Sequence, residues 1–124
     1  MTTSDAAATR PLLDHRIDDD QCRRAREVLE FVGRRWTSGV MLALGRGATR
    51  FGEVQRMVDG ISPRLLSVRL RELEEHGLVE RVVTPTTPVS VGYHLSAQGR
   101  ELLASMQPLV RYGQRWEPDP PSRH

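Results

Sequence analysis

The sequence predicts a mainly α-helical domain carrying one small β-hairpin, in the element order α-α-α-α-β-β-α. Three observations predict it. Apolar residues recur at helical spacing in four successive stretches between about Asp20 and Gly77. Two β-branched runs, Leu78 to Thr84 and Val89 to Leu95, then flank the proline-bounded tip Pro85-Thr86-Thr87-Pro88. A final helical stripe starts near Ser96 and reaches about Trp116. At 124 residues, the chain has the length of a single domain with one core.

Taken in order, residues 1–19 are small, polar and acidic and read as a flexible N-terminal arm. The folded domain is expected over 20–116, and 117–124, with three prolines, reads as a flexible C-terminal tail. From Asp20, Ala25, Val28, Leu29 and Val32 are apolar at i, i+3, i+4 and i+7, and Gly33 is a stop. Trp36 reads as a core residue, or else as the aromatic wall of a ligand pocket, at the start of a second helix, Thr37 to Leu44, with Val40, Met41 and Leu44 inward and Gly45 and Gly47 closing it. A third, short helix spans Thr49 to Asp59 with Phe51, Val54, Met57 and Val58 on its core side, before the turn Asp59-Gly60.

The fourth helix is the most fully marked. Ser62 is an N-cap, Pro63 occupies the first helical position, and Gly77 can close the end in a left-handed conformation. Leu66, Leu70 and Leu73 define the buried face, with Leu65 on its flank. Arg64, Val68, Arg71 and Glu75 lie opposite, with Ser67 at the edge. In the last helix Leu102, Leu103, Met106, Leu109, Val110 and Gly113 form a stripe that Pro108 is expected to kink unless it lies at a break between two helices.

Charge is unevenly distributed. The formal total is only +2, but residues 34–71 carry eight arginines against Glu53 and Asp59, whereas residues 1–20 are net acidic. A basic zone around an exposed helix face is the electrostatic pattern of a nucleic-acid surface. No lysine occurs, so the arginines also fit a compositional bias. One cysteine builds no internal disulfide framework, and no apolar run approaches the roughly 18 residues of a spanning helix, so the chain reads as soluble and cytoplasmic. The four histidines have no metal-ligand spacing, and no Ser/His/Asp grouping, phosphate loop or carboxylate pair stands out. Neither a metal, a cofactor nor an enzymatic activity is expected.

Three short helices, a reading helix, a hairpin and a closing helix are the order of a winged helix-turn-helix, in which the fourth helix enters the DNA major groove and the hairpin is the wing. The turn Asp59-Gly60-Ile61 has the length and glycine that the motif requires. Motifs in fixed order then resemble the HxlR family of bacterial transcriptional regulators, relatives of the MarR type. They are Cys22, Gly33-Arg34-Arg35-Trp36-Thr37, Arg50-Phe51-Gly52-Glu53, Gly60-Ile61-Ser62-Pro63, Leu70-Arg71-Glu72-Leu73-Glu74 and Gly77-Leu78-Val79, with Tyr93, Leu95 and Gly99 continuing the match. The resemblance implies a homodimeric DNA binder that represses or activates a nearby operon and responds to electrophiles, oxidants or small molecules. It departs at two places: Cys22 is followed by Arg23 where the family commonly has proline, and Ser90-Val91-Gly92-Tyr93 lacks the wing's usual base and acid.

Arg64, Ser67 and Arg71 are the expected base contacts, since arginine can donate twice to guanine and serine can meet either kind of base edge. Val68 is placed to touch a thymine methyl. Arg50, Arg56 and Ser62 are better placed for phosphates, and Arg81 is the nearest cation on the wing's stem. Arg69 points to the core flank and is expected to pair with an acid of a neighbouring element. Val28 and Leu29 in the first helix, with Leu102, Leu103, Met106, Leu109 and Val110 in the last, are the expected dimer interface.

Cys22 has two readings. Arg23, Arg24 and Arg26 favour a reactive regulatory thiol, Asp18, Asp19 and Asp20 oppose it, and the plain alternative is a small packed residue. A lone thiol must act through an intersubunit disulfide, a mixed disulfide or alkylation. The rival to a DNA-binding homodimer, with or without a small-molecule or electrophile effector, is a winged helix used only as a protein-interaction module.

Overall fold

In the computed structural model, which describes residues 12–116, the elements run α1 (Asp19–Val32), α2 (Thr37–Gly45), α3 (Phe51–Met57), α4 (Pro63–Glu75), β1 (Val79–Thr84), β2 (Ser90–Leu95) and α5 (Ala97–Trp116). Five helices and one antiparallel hairpin among the described residues follow the order expected from the sequence. The C-terminal tail and the arm up to residue 11 lie outside the described residues. The chain divides between Arg34 and Arg35 into two compact units.

The first unit contains α1. The Asp18 carboxylate accepts from the Gln21 N–H at 2.8 Å and the Gln21 side-chain oxygen accepts from the Asp18 N–H at 2.9 Å. This reciprocal box satisfies two otherwise free donors and starts the helix at Asp19, one residue earlier than its apolar pattern suggests. No residue of α1 is buried, and Val28 and Leu29 are exposed.

The second unit is organised on α2, whose nine residues TSGVMLALG carry no charge. Val40 and Met41 are fully buried, and Thr37, Ala43 and Leu44 nearly so. Helices α3, α4 and α5 and strand β2 all pack on it. From them come Val54, Leu66, Leu70, Leu73, Leu95 and Met106, which complete the core with Val58, Ile61, Leu78 and Val79. Truncating a fully buried leucine such as Leu66 or Leu73 to alanine typically costs about 2–5 kcal/mol.

Two close approaches fix the packing. A Cβ on Gly45 would strike the Leu103 side chain, so α5 crosses α2 where the latter has no side chain. A Cβ on Gly99 would strike the backbone carbonyl of Leu78. Between these contacts, Ser96 accepts from the Gly99 N–H at 3.0 Å and donates to the Gly77 carbonyl at 2.6 Å, tying the start of α5 to the end of α4.

Several expectations are corrected. Met57 is exposed because the chain leaves the helix at Val58, which turns inward in its place. Met106 is buried inside its own chain by the packing of α5 on α2, and Leu102 and Leu103 are half-buried, so these three are not a free apolar surface. Trp36 is half-buried, not a core residue. Helix α5 continues through Pro108 as one element, with no break there.

Candidate nucleic-acid interface

Helix α4 is held at both ends by local chemistry. The Ser62 hydroxyl oxygen accepts from the Leu65 N–H at 3.1 Å, with Pro63 in the first turn. At the other end Gly77 has φ +75, the Gly77 N–H reaches the Glu74 carbonyl at 3.0 Å and the Leu78 N–H reaches the Leu73 carbonyl at 2.9 Å. That pair of bonds is a Schellman cap, and it turns the chain directly into β1.

With Leu66, Leu70 and Leu73 buried, the helix exposes Arg64, Ser67 and Arg71 together on its outer face. Val68 is half-buried and so presents less of itself than the helical spacing suggests. Ser62 accepts a bond as a cap, and its O–H proton remains to donate outward. Arg50 and Arg56 are exposed at the start and end of α3, and Arg81 is exposed on β1 opposite Tyr93.

Arg69 behaves differently from its neighbours and from its expected role. Its Nη1 meets Glu72, on its own helix, at 3.1 Å, and its Nε donates to the backbone carbonyl of Arg35 at 2.9 Å. The partners are therefore an acid one turn along and a main-chain oxygen, not a carboxylate of another element.

Glu53 is a site residue that the charge argument passed over. One of its carboxylate oxygens accepts from the backbone N–H groups of both Thr49 and Arg50, at 3.0 and 2.9 Å. The Thr49 carbonyl in turn accepts from the Tyr93 N–H of β2 at 2.8 Å. So Glu53 fixes the short segment that joins the wing to α3 and carries Arg50. An acid three residues after a helix-starting position is a readable signal in the sequence.

The wing pairs Val79 with Leu95 through Thr84 with Ser90 and exposes Val82, Val83 and Val89. An open cleft of about 370 Å³ lies between β2, α2 and α5, with Tyr93, His94, Arg100, Leu103 and Gln107 among its lining residues. Arg100 is held there by donating to the Leu95 carbonyl at 3.0 Å. In the first unit Cys22 is exposed. The arginines beside it are engaged with carboxylates, Arg23 and Arg24 with Asp20 and Arg26 with Glu30, and so supply the thiol with less positive field than their number suggests. No cluster of three metal-ligating side chains occurs among the described residues, nor is any helix there long and apolar enough to cross a membrane.

The two backbone donors, Thr49 first and Arg50 second, hold the Glu53 carboxyl below the ordinary glutamate range. A carboxylate of lowered pKa stabilises the fold fully above its unfolded value near 4.5, and that contribution is lost as pH falls through the lowered value. Melting of the parent should therefore weaken more steeply on acidification than melting of Glu53→Gln. Parallel acid slopes in the two proteins would show that Glu53 does not hold this segment.

Residues 31–120 match the HxlR-like helix-turn-helix family. The HTH-type transcriptional regulator YodB of Bacillus subtilis is 34% identical over 100 residues, covering 81% of this chain and 89% of that protein. YvaP of the same organism, also an HTH-type transcriptional regulator, is 32% identical over 97 residues, covering 78% and 90%. The reduced form of B. subtilis YodB matches with a TM-score of 0.68 at 35% identity, over 78% of this chain and 96% of that one. Its diamide-treated form matches with a TM-score of 0.65 at 32% identity, over 84% and 100%. A helix-turn-helix whose second helix exposes Arg64 and Arg71, a two-stranded hairpin and these relatives agree: the chain belongs to the HxlR-like helix-turn-helix family and is a transcriptional regulator of that type, not an enzyme.

Proposed function

We propose that the chain recognises a specific operator as a homodimer and represses transcription by occupying it. The observation that carries this reading is the grouping of Arg64, Ser67 and Arg71 on the exposed face of α4, whose opposite face is locked into the core. Guanidinium and hydroxyl groups on one helix face suit the donor and acceptor pattern of a major groove. Arg50, Arg56 and Ser62 approach phosphates in this reading, and Arg81 supplies the wing's contact.

Substituting Arg64 or Arg71 by alanine should cost about 1–3 kcal/mol on the preferred site and relax its sequence preference. Binding to the chain's own upstream DNA, titrated against salt, measures it. The parent should show a steep salt slope together with a preferred site. The rival, a protein-interaction module, is favoured by the weakly charged wing and shows neither property.

Dimerisation is supported by large apolar side chains that are exposed among the described residues. Leu109 (63% exposed), Val110, Tyr112 and Trp116 line the second half of α5, and Val28 and Leu29 are exposed on α1. A symmetric interface on the second half of α5, with the apolar residues of α1 a further surface for the partner, would bring two copies of α4 to successive major grooves about 34 Å apart. Light scattering at micromolar concentration should find a dimer, and Leu109→Asp should shift it to monomer. A dimer that tolerates the charge places the interface elsewhere.

The exposed Cys22 thiol supports a response to oxidants, and YodB has been crystallised both reduced and after diamide treatment. Diamide takes two electrons and two protons from a pair of thiols as their sulfurs join, the second thiol coming from the partner subunit or from a small thiol. Diamide should therefore weaken DNA binding by the parent, dithiothreitol should restore it, and Cys22→Ser should bind DNA normally and ignore both reagents. A serine variant that responds like the parent would transfer the effector role to a non-covalent ligand.

A further inference from the structure

Helix α4 carries three arginines with two fates. Arg64 and Arg71 are exposed, while the Arg69 side chain is only 18% exposed. Arg69 donates to two acceptors at once, the Glu72 carboxylate and the Arg35 carbonyl, and the second of these lies far away in the chain. The residue after that carbonyl, Trp36, is the one non-glycine residue at positive φ (+80) among the described residues. A bulky side chain keeps that conformation only where its surroundings hold it. Here the Arg35 guanidinium lies 4.7 Å from the centre of the Trp36 ring. The far edge of the same ring covers Gly60, 3.4 Å from where a Cβ there would stand. The Arg35-Trp36 dipeptide thus meets α4 in its middle, through Arg69, and the turn before it, through Gly60.

The two base-facing arginines are more than a quarter-turn around the helix from Arg69. A tether at Arg69 therefore restrains rotation of α4 about its own axis. That rotation matters most for base reading. About 20° of it moves a group roughly 6 Å from the axis by about 2 Å, more than the distance window of a hydrogen bond. Phosphate contacts from long, flexible side chains absorb such a shift more easily than base contacts.

We propose that Arg69 is a positioning residue for base recognition, anchored on the Arg35 carbonyl, and sets the rotation of α4 without touching DNA itself. The inference rests on α4 being the base-reading helix. The test uses the full chain, a duplex selected by the parent from a random-sequence pool, and an unrelated duplex of the same length. Arg69→Met should lose about tenfold on the selected duplex. On the unrelated duplex it should lose less than about twofold, with the salt slope unchanged. Arg69→Lys keeps the charge but offers one nitrogen where the guanidinium reaches its two acceptors through two, so its preference should fall by a smaller factor, roughly threefold.

Equal losses on both duplexes with a shallower salt slope would make Arg69 a phosphate contact and overturn the proposal. A folded Arg69→Met with the parent's preference and a lower melting temperature would make it merely structural and overturn it too. Should Arg69→Met fail to fold, an unchanged preference in Arg69→Lys overturns it in the same way. A parent that selects no duplex removes the base-reading helix, and the proposal with it. A parent that selects one, with variants that share its preference, removes the proposal alone.

Discussion

Everything in the second unit depends on the burial of one short uncharged helix. Helix α2 has no polar face to turn to water, so α3, α4, α5 and β2 must each cover part of it. One of its glycines decides how closely α5 comes. Gly45 lets Leu103 of α5 reach the helix backbone, whereas at Gly39 a Cβ would make only an ordinary contact with the Val58 side chain. The parts that face outward, α4 and the wing, are therefore spokes on a common hub, and their mutual placement is a packing property before it is an electrostatic one.

That distinction explains what was legible in the sequence. The caps of α4 were readable because they are local: Ser62, Pro63 and Gly77 act on backbone groups within a few residues of themselves. The buried Leu66, Leu70 and Leu73 followed from period alone. Met57 and Met106 were misread because each lies on an apolar stripe whose coverage depends on another element: the inward turn of Val58 in one case, the crossing of α2 in the other. For the outward arginines, period gave exposure on α4. It gave no sign that Arg69 would find a main-chain oxygen 34 positions away. Nor does propensity suggest a tryptophan at positive φ, since that conformation is disfavoured for any bulky side chain.

The wing shows a different balance. Its stem is tied in twice, by the cross-strand ladder and by the Tyr93 N–H bond to the Thr49 carbonyl. Arg81 and the exposed valines 82, 83 and 89 sit on a hairpin with little charge of its own. The exposed arginines nearest in the chain to the helix-turn-helix are instead Arg50 and Arg56, at the two ends of α3, and Arg64 and Arg71 on α4. The Tyr93–Thr49 bond ties β2 to the segment that opens α3, so the weakly charged wing is still joined to the helix-turn-helix beyond its own ladder.

Pro108 gives α5 two mechanical halves. Before it, Gly99, Leu102, Leu103 and Met106 are drawn toward the core; after it, Leu109, Val110, Tyr112 and Trp116 face outward. A proline inside a helix deletes one rung of the hydrogen-bond ladder, here the bond to the Ala104 carbonyl, and its ring crowds the same turn. The bending stiffness of α5 is thus lowest where the helix passes from anchoring the fold to presenting a surface. Strain applied to the outer half is absorbed at that joint, and the inner half keeps the hub and the hairpin in register.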